Sequence, residues 1–221
     1  MAANDAVACL QCVHADNDVL LLCKPAGLLC VPGRGADKQD CLSRRVQQHY
    51  PDALVVHRLD QATSGLVLMA RHGVAQRSLS HAFAARTMAK RYLAIVHGQP
   101  REDADADGWS TIDAPLMADW PRRPLQKVDV ARGKASQTRW RTLLHDATGH
   151  RTRLELAPLT GRTHQLRLHL AHIGHPILGD ALYAAPELAA ASPRLLLHAW
   201  KLGFAHPATG TWMEFNAPPP F

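Results

Sequence analysis

The apolar runs of this 221-residue chain are short, and this limits the fold more than any other feature of the sequence. Most are a strand's length, several are partly β-branched, and turn residues such as Asp16, Asn17 and Asp18 separate them. They outnumber the helical patterns and do not alternate with them regularly. We therefore predict a mixed α+β fold rather than a doubly wound one. The predicted strands are Val7 to Val13, Val19 to Cys23, Leu54 to Val56, Gly65 to Ala70, Arg91 to Val96, Thr152 to Ala157, the alternating run His198 to Phe204, and Thr211 to Phe215 after a turn.

Two segments have helical spacing. One lies between the strands that end at Ala70 and begin at Arg91, and the other begins near Thr163 and ends at Gly174, with Pro176 just beyond. The apolar positions of the first segment that share a helix face are Ala75, Leu79, Ala82 and Phe83.

Composition excludes several classes of protein. Charged residues make up 20% of the chain and hydrophobic residues 47%, as in folded globular proteins and unlike disordered ones. The longest apolar runs, such as 19–23, are far shorter than the roughly 20 residues that cross a bilayer. The first residues lack a signal peptide's basic start and apolar core, and the five cysteines, an odd number, lie within 9–41. We expect a cytoplasmic protein with reduced thiols and no membrane partner.

The basic residues are concentrated in residues 121–141, which we call the basic segment. Its net charge of +6 equals that of the whole chain. A solvated loop is one interpretation. A surface for nucleic acid is the other, because Arg and Lys bound to phosphates supply most non-specific affinity. The basic side chains are Arg122, Arg123, Lys127, Arg132, Lys134, Arg139 and Arg141.

Two motifs resemble metal sites only in part. DADADG at 103–108 copies the start of a calcium loop, but Ala114 stands where the bidentate Glu is needed. An acidic surface turn is the better interpretation. Cys9 and Cys12 form a C-x-x-C without a second pair at metal-site spacing. Their strand-like surroundings favour ordinary buried thiols.

Four histidines are crowded into one short segment, at His164, His169, His172 and His175. A metal site is conceivable there, but no carboxylate or thiol lies nearby before Asp180, so a packed or RNA-facing surface is favoured. The chain also lacks the Walker, dinucleotide-binding and G-x-S-x-G motifs. We therefore predict neither a metal nor a cofactor.

HRLDQATSGL, which starts at residue 57, places Asp60 two residues after Arg58 and before two hydroxyl residues and Gly65. The hydroxyls suit a turn, and Gly65 permits a tight entry into the following strand. Such a turn sets a carboxylate at the end of a strand. Two interpretations are open from this stretch alone: an aspartate that caps its own turn, or a carboxylate held for catalysis.

Further motifs follow in a fixed order around this stretch. They are KPAGLLCVPG at 24–33, KRYLAIVHG at 90–98, DWPRRPLQKV at 119–128 and LTGRTHQLRLHLAHIGHPILGDALY at 159–183. Together with HRLD and TSG they closely resemble the RluA family of RNA pseudouridine synthases over nearly the whole chain. The resemblance implies the pseudouridine synthase fold, with a mixed, mostly antiparallel sheet, flanking helices and a central RNA-binding cleft. It also implies that residues 1–221 form a single catalytic domain with two lobes. Many relatives carry an S4 domain, but we expect none in this chain.

The resemblance implies an isomerase that detaches the uracil of a uridine in structured RNA, rotates it and rejoins it through carbon. Asp60 matches the catalytic aspartate, Tyr92 the active-site tyrosine, and Arg167 the basic residue that pairs with the aspartate. Arg58 matches the arginine that enters the space of the flipped base. Asp60 either attacks the anomeric carbon or removes a ribose proton to give a glycal, and the sequence does not separate these routes.

The expected partner is RNA, with the protein acting as a monomer. Similarity to the family's short, dual-specificity member implies two substrates, uridine 32 of the tRNA anticodon stem-loop and uridine 746 of a 23S ribosomal RNA hairpin. The alternatives are a different large-subunit rRNA uridine, a non-catalytic RNA-binding protein, or a hydrolase that releases the base. The expected RNA-binding residues are Arg58, His57, Arg122, Arg123, Lys127, Arg162 and His164.

Overall fold

A computed structural model describes residues 11–221 of the chain. The strands in this part are β1 Gln11–Ala15, β2 Val19–Lys24, β3 Leu54–Val55, β4 Ser64–Ala70, β5 Ala89–His97, β6 Ser110–Asp113, β7 Leu116–Ala118, β8 Gln126–Val128, β9 Gln137–Asp146, β10 Arg151–Pro158, β11 Leu197–Ala205 and β12 Trp212–Asn216. The α-helices are α1 Leu42–Gln47, α2 Gly73–Ala84, α3 Gln165–His172 and α4 Pro186–Ala190. The described residues divide into two compact units: residues 11–90 with Ala199–Pro220, and Arg91–His198 with Phe221.

The first unit contains an antiparallel sheet in the order β1-β2-β4-β11, with β3 paired to β4 and β12 to β11. Residues of β2 and β4 are buried almost throughout, which explains why their sequences are continuously apolar rather than alternating. Helix α2 begins after His72, whose ring accepts the Ala75 N–H, and it buries Ala75 and Leu79. These two side chains join the core formed by Val19, Leu21, Leu66, Leu68, Ala70, Met88, Leu202, Phe204 and Ala217.

The second unit contains an antiparallel sheet in the order β5-β10-β9-β6 and a separate β7–β8 hairpin. The basic segment therefore contains regular strands as well as loop. Thr138 and Trp140 of β9 are buried, while Arg139 and Arg141 between and after them stay partly exposed. This alternation is that of a half-buried strand.

The predicted α+β class and the pseudouridine synthase fold are confirmed, as are most predicted strands. The prediction over Val7 to Val13 falls partly outside the described residues, and β1 begins at Gln11. The second predicted helix begins at Gln165 rather than near Thr163, because His164 has a left-handed backbone with φ 56°. Among residues 11–221, no helix has the length and apolar character needed to span a membrane.

Candidate active site

The turn that carries Asp60 is held by a buried lysine. The Thr63 N–H donates to the Asp60 carbonyl at 3.1 Å and closes the turn before β4. Lys24 is 0% exposed, so its ammonium needs partners inside the protein. Its Nζ donates to three backbone carbonyls at 2.7–3.0 Å, those of Pro25, Leu28 and Gln61. Because Gln61 follows Asp60 directly, Lys24 fixes the backbone beside the carboxylate.

The KPAG motif makes further contacts with the same turn. The Gly27 N–H donates to the Gln61 carbonyl at 2.9 Å, and the Gln61 side-chain amide donates back to the Gly27 carbonyl at 3.0 Å. On the other side of Asp60, the Leu59 N–H donates to the Cys30 Sγ at 3.2 Å. Burial raises the pKa of the Cys30 thiol, which keeps it protonated near neutral pH. The two segments thus form one hydrogen-bonded scaffold around the Asp60 backbone.

Gly65 is required by the backbone at the start of β4. Its φ of 112° lies in the region that side chains disfavour, and a Cβ there would lie 2.3 Å from the carbonyl oxygen of Ala199. No side chain fits this close approach of two backbones. The prediction that Gly65 permits a tight entry into the strand is therefore confirmed.

His57 and Arg58 have different surroundings although they are adjacent. Arg58 is exposed. The His57 Nε2 accepts the Leu68 N–H at 2.9 Å, and its ring stacks on Phe83 with 4.4 Å between centroids. Burial, with a smaller contribution from the nearby Lys90 charge, lowers the pKa of His57 to about 3. The ring is therefore neutral and holds the motif to the sheet, while its expected contact with RNA stays a prediction.

In the second unit, Arg167 is clamped by a carboxylate. Its Nε and Nη2 donate to the two Asp180 oxygens at 2.8 and 2.6 Å, and both side chains are almost fully buried. Asp180 Oδ1 also accepts the N–H groups of Leu182 and Tyr183. This bidentate geometry fixes the plane of the guanidinium. The expected pairing of Arg167 with Asp60, which lies in the other unit, stays a prediction.

Tyr92 lies on β5 of the second unit, where its backbone is opposite Leu156 of β10. The side chain is half-buried. Because β5 is paired in the sheet, the backbone of Tyr92 is held in place, as a ring that stacks on a ligand requires.

Tyr183 connects the TGRTHQLR motif to the β7–β8 hairpin. Its hydroxyl accepts the Gln126 N–H at 2.9 Å and lies within hydrogen-bond distance, 2.7 Å, of the His164 Nδ1. The Arg167 guanidinium lies 5.3 Å from the centre of the Tyr183 ring. His164 is half-buried, whereas Arg162 is exposed with its guanidinium 3.4 Å from the Ala135 carbonyl. Both remain predicted RNA contacts.

The three predicted RNA-binding residues at the start of the basic segment differ in their contacts. Arg122 donates to the Asp119 carboxylate at 2.6–2.7 Å, yet 71% of its side chain is exposed. Lys127 lies 3.4 Å from an Asp129 oxygen. Arg123 is exposed and places its guanidinium carbon 3.3 Å from the centre of the Trp120 ring. Each remains close enough to solvent to meet a phosphate.

Other motifs of the sequence have structural explanations. Asp105 of DADADG accepts the N–H groups of Asp107 and Trp109, which confirms a surface turn. His169 is fully buried and contacts Thr138 and Ala114, so it is a packed histidine rather than part of an RNA-facing surface.

The interpretation of Cys9 and Cys12 as buried thiols is wrong for Cys12. This residue is exposed on β1, which is an edge strand among the described strands of its sheet. Cys9 lies outside the described residues.

Asp16, Asp18 and His206 form a cluster with side-chain ligand atoms within 4.8 Å of one another, the one group of metal-ligand type within residues 11–221. The His206 Nδ1 faces the N–H groups of Ala208 and Thr209 at 3.3–3.4 Å. The His206 Nε2 lies 3.3 Å from an Asp16 oxygen and 3.9 Å from an Asp18 oxygen. Asp16 Oδ1 accepts the N–H groups of Asp18 and Val19 at 2.8 Å, so the cluster closes the β1–β2 turn.

Comparisons with known proteins identify the family. The sequence profile described as RNA pseudouridylate synthase matches residues 18–172 of this chain. The chain belongs to this family. It is 45% identical over 212 residues to the protein named dual-specificity RNA pseudouridine synthase RluA of Escherichia coli (strain K12), covering 96% of this chain and 94% of that protein. The protein of the same name from Pasteurella multocida is 44% identical over the same shares.

Two solved structures resemble this chain. Human RNA pseudouridylate synthase domain containing 1 is 28% identical, with a TM-score of 0.78 over 100% of this chain and 87% of the other. Human RNA pseudouridylate synthase domain containing 4 has a TM-score of 0.73 at 22% identity over 95% of this chain and 88% of the other, which supports the fold. The predicted family is confirmed, and with it the predicted class of enzyme, an RNA pseudouridine synthase.

Sequence reasoning missed three residues that support the predicted ones, namely Lys24, Asp180 and Tyr183. Lys24 stands in the quoted KPAG motif, and the other two stand in the GHPILGDALY stretch. The sequence KPAG could have indicated the role of Lys24. A lysine directly before turn residues lies close to backbone carbonyls, to which its ammonium can donate. No comparable signal identifies Asp180 as the partner of Arg167, because their contact depends on the chain returning to α3.

Proposed function

We propose that this protein converts specific uridines of structured RNA to pseudouridine, in the tRNA anticodon stem-loop and in a hairpin of 23S ribosomal RNA. The similarity to relatives named dual-specificity, over nearly the full length of both chains, supports this choice of substrates. The observation that carries the catalytic part is the Asp60 turn, whose backbone is fixed by the buried Lys24. Preorganisation of this kind is what a reacting carboxylate needs.

Asp60 is proposed to supply the reacting carboxylate, by attack on the anomeric carbon or by removal of a ribose proton. The target base must first leave its stack, at a cost of a few kcal/mol that is least in a loop. The exposed Arg58 offsets part of this cost by occupying the space that the base leaves, through stacking and phosphate contacts. No external nucleophile or change of oxidation state is needed for an isomerisation of this kind.

Tyr92 and Arg167 are proposed to complete the catalytic set, on the strength of the motif match. The Tyr92 ring would stack on the uracil or the ribose. Arg167 would pair with the catalytic carboxylate and orient it, since a planar guanidinium can hold a carboxylate in one geometry. Its clamp by Asp180 supports this role, because a guanidinium already fixed in plane loses less entropy when it orients a further group.

RNA binding is proposed to fall on the catalytic domain itself, with the protein acting as a cytoplasmic monomer. The proposed contacts are Arg58, His57, Arg122, Arg123, Lys127, Arg162 and His164. The exposure of Arg58, Arg122, Arg123 and Arg162 supports them as phosphate ligands. Size-exclusion chromatography with light scattering tests the monomer.

The experiment that tests the function uses tRNA and 23S rRNA hairpins tritiated at uracil C5, because isomerisation releases that tritium to water. The wild type should release it, and Asp60→Asn should abolish release while RNA is still bound. Asp37→Asn, which neutralises an exposed aspartate of the same unit, is the matched control and should keep full activity. Binding of RNA without any tritium release by the wild type would contradict the isomerase and would leave an RNA-binding protein or a hydrolase.

Nuclease digestion of the same reactions separates the remaining alternatives. Pseudouridine in the digest supports the isomerase, whereas free uracil would identify a hydrolase. Mapping pseudouridine in RNA from cells that lack this protein identifies the substrates, and a loss at some other large-subunit position would overturn the proposed pair.

A further inference from the structure

The exposure of Trp120 is not explained by the stability of the fold. It lies at the tip of the β7–β8 hairpin, and 65% of it is exposed although indole is largely apolar. Exposed aromatic rings beside basic residues are typical of proteins that bind unpaired nucleotides. Trp120 is followed within three residues by Arg122 and Arg123.

The ring is held in place rather than loosely exposed. Arg123 lies over it, with the guanidinium carbon 3.3 Å from the ring centre. The Asp119 carboxylate, itself buried, accepts from Arg122, and the Asp119 N–H donates to the Leu125 carbonyl at 2.9 Å across the tip. Trp120 therefore presents a flat surface whose orientation is set before any ligand arrives, which lowers the entropy cost of binding.

The second arginine–tryptophan cluster of the same unit shows what a structural cluster looks like. The Trp109 ring lies 4.7–5.5 Å from the guanidinium groups of Arg91, Arg139 and Arg141. Trp109 is only 8% exposed, and each of these arginines lies within ion-pair distance of an acidic side chain. That ring is covered. Trp120 is not, so its exposure calls for a different explanation.

The hairpin is also joined to residues matched to the catalytic set. The Gln126 N–H, at the start of β8, donates to the Tyr183 hydroxyl, and the Tyr183 ring lies against the Arg167 guanidinium. All these groups belong to the second unit. The Trp120 surface thus has a fixed position relative to Arg167.

We propose that Trp120, backed by Arg123, is a stacking platform for one unpaired base of the RNA substrate, while Arg122 contacts the backbone phosphates. The platform rests on the proposed function for its ligand, single-stranded nucleotides within an RNA hairpin. Every base has a π face, so the platform tolerates different bases and would suit an enzyme that accepts two unlike RNAs. It binds a base other than the target uridine, for which Tyr92 is already the proposed stacking ring.

Fluorescence anisotropy with a labelled tRNA anticodon stem-loop tests the platform. Trp120→Ala should raise Kd by about 5- to 150-fold, the range expected for loss of one base stack. The slope of log K against log salt should stay unchanged, because stacking releases no counterions. Arg122→Gln should instead reduce that slope by about 1. Trp120→Phe keeps a ring and should recover most of the affinity, which also excludes misfolding as the cause.

Two controls make the result specific. An RNA duplex without unpaired bases should bind wild type and Trp120→Ala equally. Trp212→Ala removes another exposed ring, 52% exposed, which lies on β12 of the other unit, and this variant should leave Kd unchanged. A change below twofold for Trp120→Ala, an equal loss on the duplex, an equal loss in Trp212→Ala, or a reduced salt slope would each overturn the platform. Failure of the proposed function is distinguishable, because binding is measured here without turnover.

Discussion

Asp180→Asn tests how far the candidate site depends on the buried Arg167–Asp180 pair. The substitution removes one charge and keeps the size of the side chain, so Oδ1 can still accept the Leu182 and Tyr183 N–H groups. What is lost is the second acceptor for the guanidinium, whose side chain is only 5% exposed. The variant therefore isolates the charge from the turn that Asp180 also caps.

The expected loss follows from the burial of both partners. A hydrogen bond to a charged group contributes about 1.5–3 kcal/mol, and Asp180 accepts two from Arg167. Removal of one member of a buried pair costs about 3–5 kcal/mol, because the remaining charge is left poorly compensated. We expect Asp180→Asn to lower the free energy of unfolding by an amount in that range. Turnover should fall as well, since the guanidinium is no longer held in one plane.

Urea unfolding followed by tryptophan fluorescence measures the change, and tritium release measures turnover. Arg45 and Asp40 provide the matched control, because they also form a bidentate pair, at 2.7 and 2.6 Å, but on the surface. Asp40→Asn should change the unfolding curve little, since solvent screens an exposed pair. The importance of burial is refuted if Asp180→Asn lowers the free energy of unfolding by less than about 1 kcal/mol, or if Asp180→Asn and Asp40→Asn lower it equally. Burial would then add nothing to the strength of the Arg167–Asp180 pair.

Three further predictions concern the first unit. Gly65→Ala should lower the free energy of unfolding by at least about 3 kcal/mol, because the new Cβ would lie 2.3 Å from the Ala199 carbonyl oxygen. Urea unfolding measures this loss, and a smaller one would mean that the two backbones separate easily. Lys24→Met should cut turnover more than RNA affinity by loosening the turn, and unchanged tritium release would refute a scaffolding role. His57, whose folded pKa of about 3 lies below its usual 6.5, takes up a proton only on unfolding. Stability should thus fall as pH drops below about 6.5, by at most about 1.4 kcal/mol per pH unit until about pH 3, and His57→Gln should flatten that profile in urea titrations at pH 7, 6 and 5.

The sequence predicts the first unit better than the second, for a physical reason. Strands β2 and β4 are buried on both faces, so their residues form continuous apolar runs that are visible without the structure. Strand β9 is half-buried, and the long, charged Arg139 and Arg141 alternate with Thr138 and Trp140. The arginines favour the interpretation of this segment as a binding surface. The alternation of buried and partly exposed positions that is typical of a strand is present in QTRWR but is easily overlooked.

The candidate site divides in a similar way. The residues proposed to react or to contact RNA lie in motifs that the sequence displays, and the roles of Asp60 and Arg58 are predicted from HRLD together with the other motifs. Their supports are not, because Lys24 reaches Gln61 across 37 positions and Arg167 reaches Asp180 across 13. Contacts at such separations depend on the path of the chain, which no local pattern specifies.

These supporting contacts also explain why several motifs must occur together for the family to be recognised. HRLD alone is compatible with an ordinary capped turn, and so is KPAG. The buried ammonium of Lys24 has its three carbonyl partners only when both segments are present. In the second unit, TGRTHQLR supplies Arg167 and GHPILGD supplies the carboxylate that makes its burial tolerable. The buried charges of Lys24 and Arg167 therefore each have a partner in a second motif, and a chain with one motif but not the other would leave a buried charge with fewer partners.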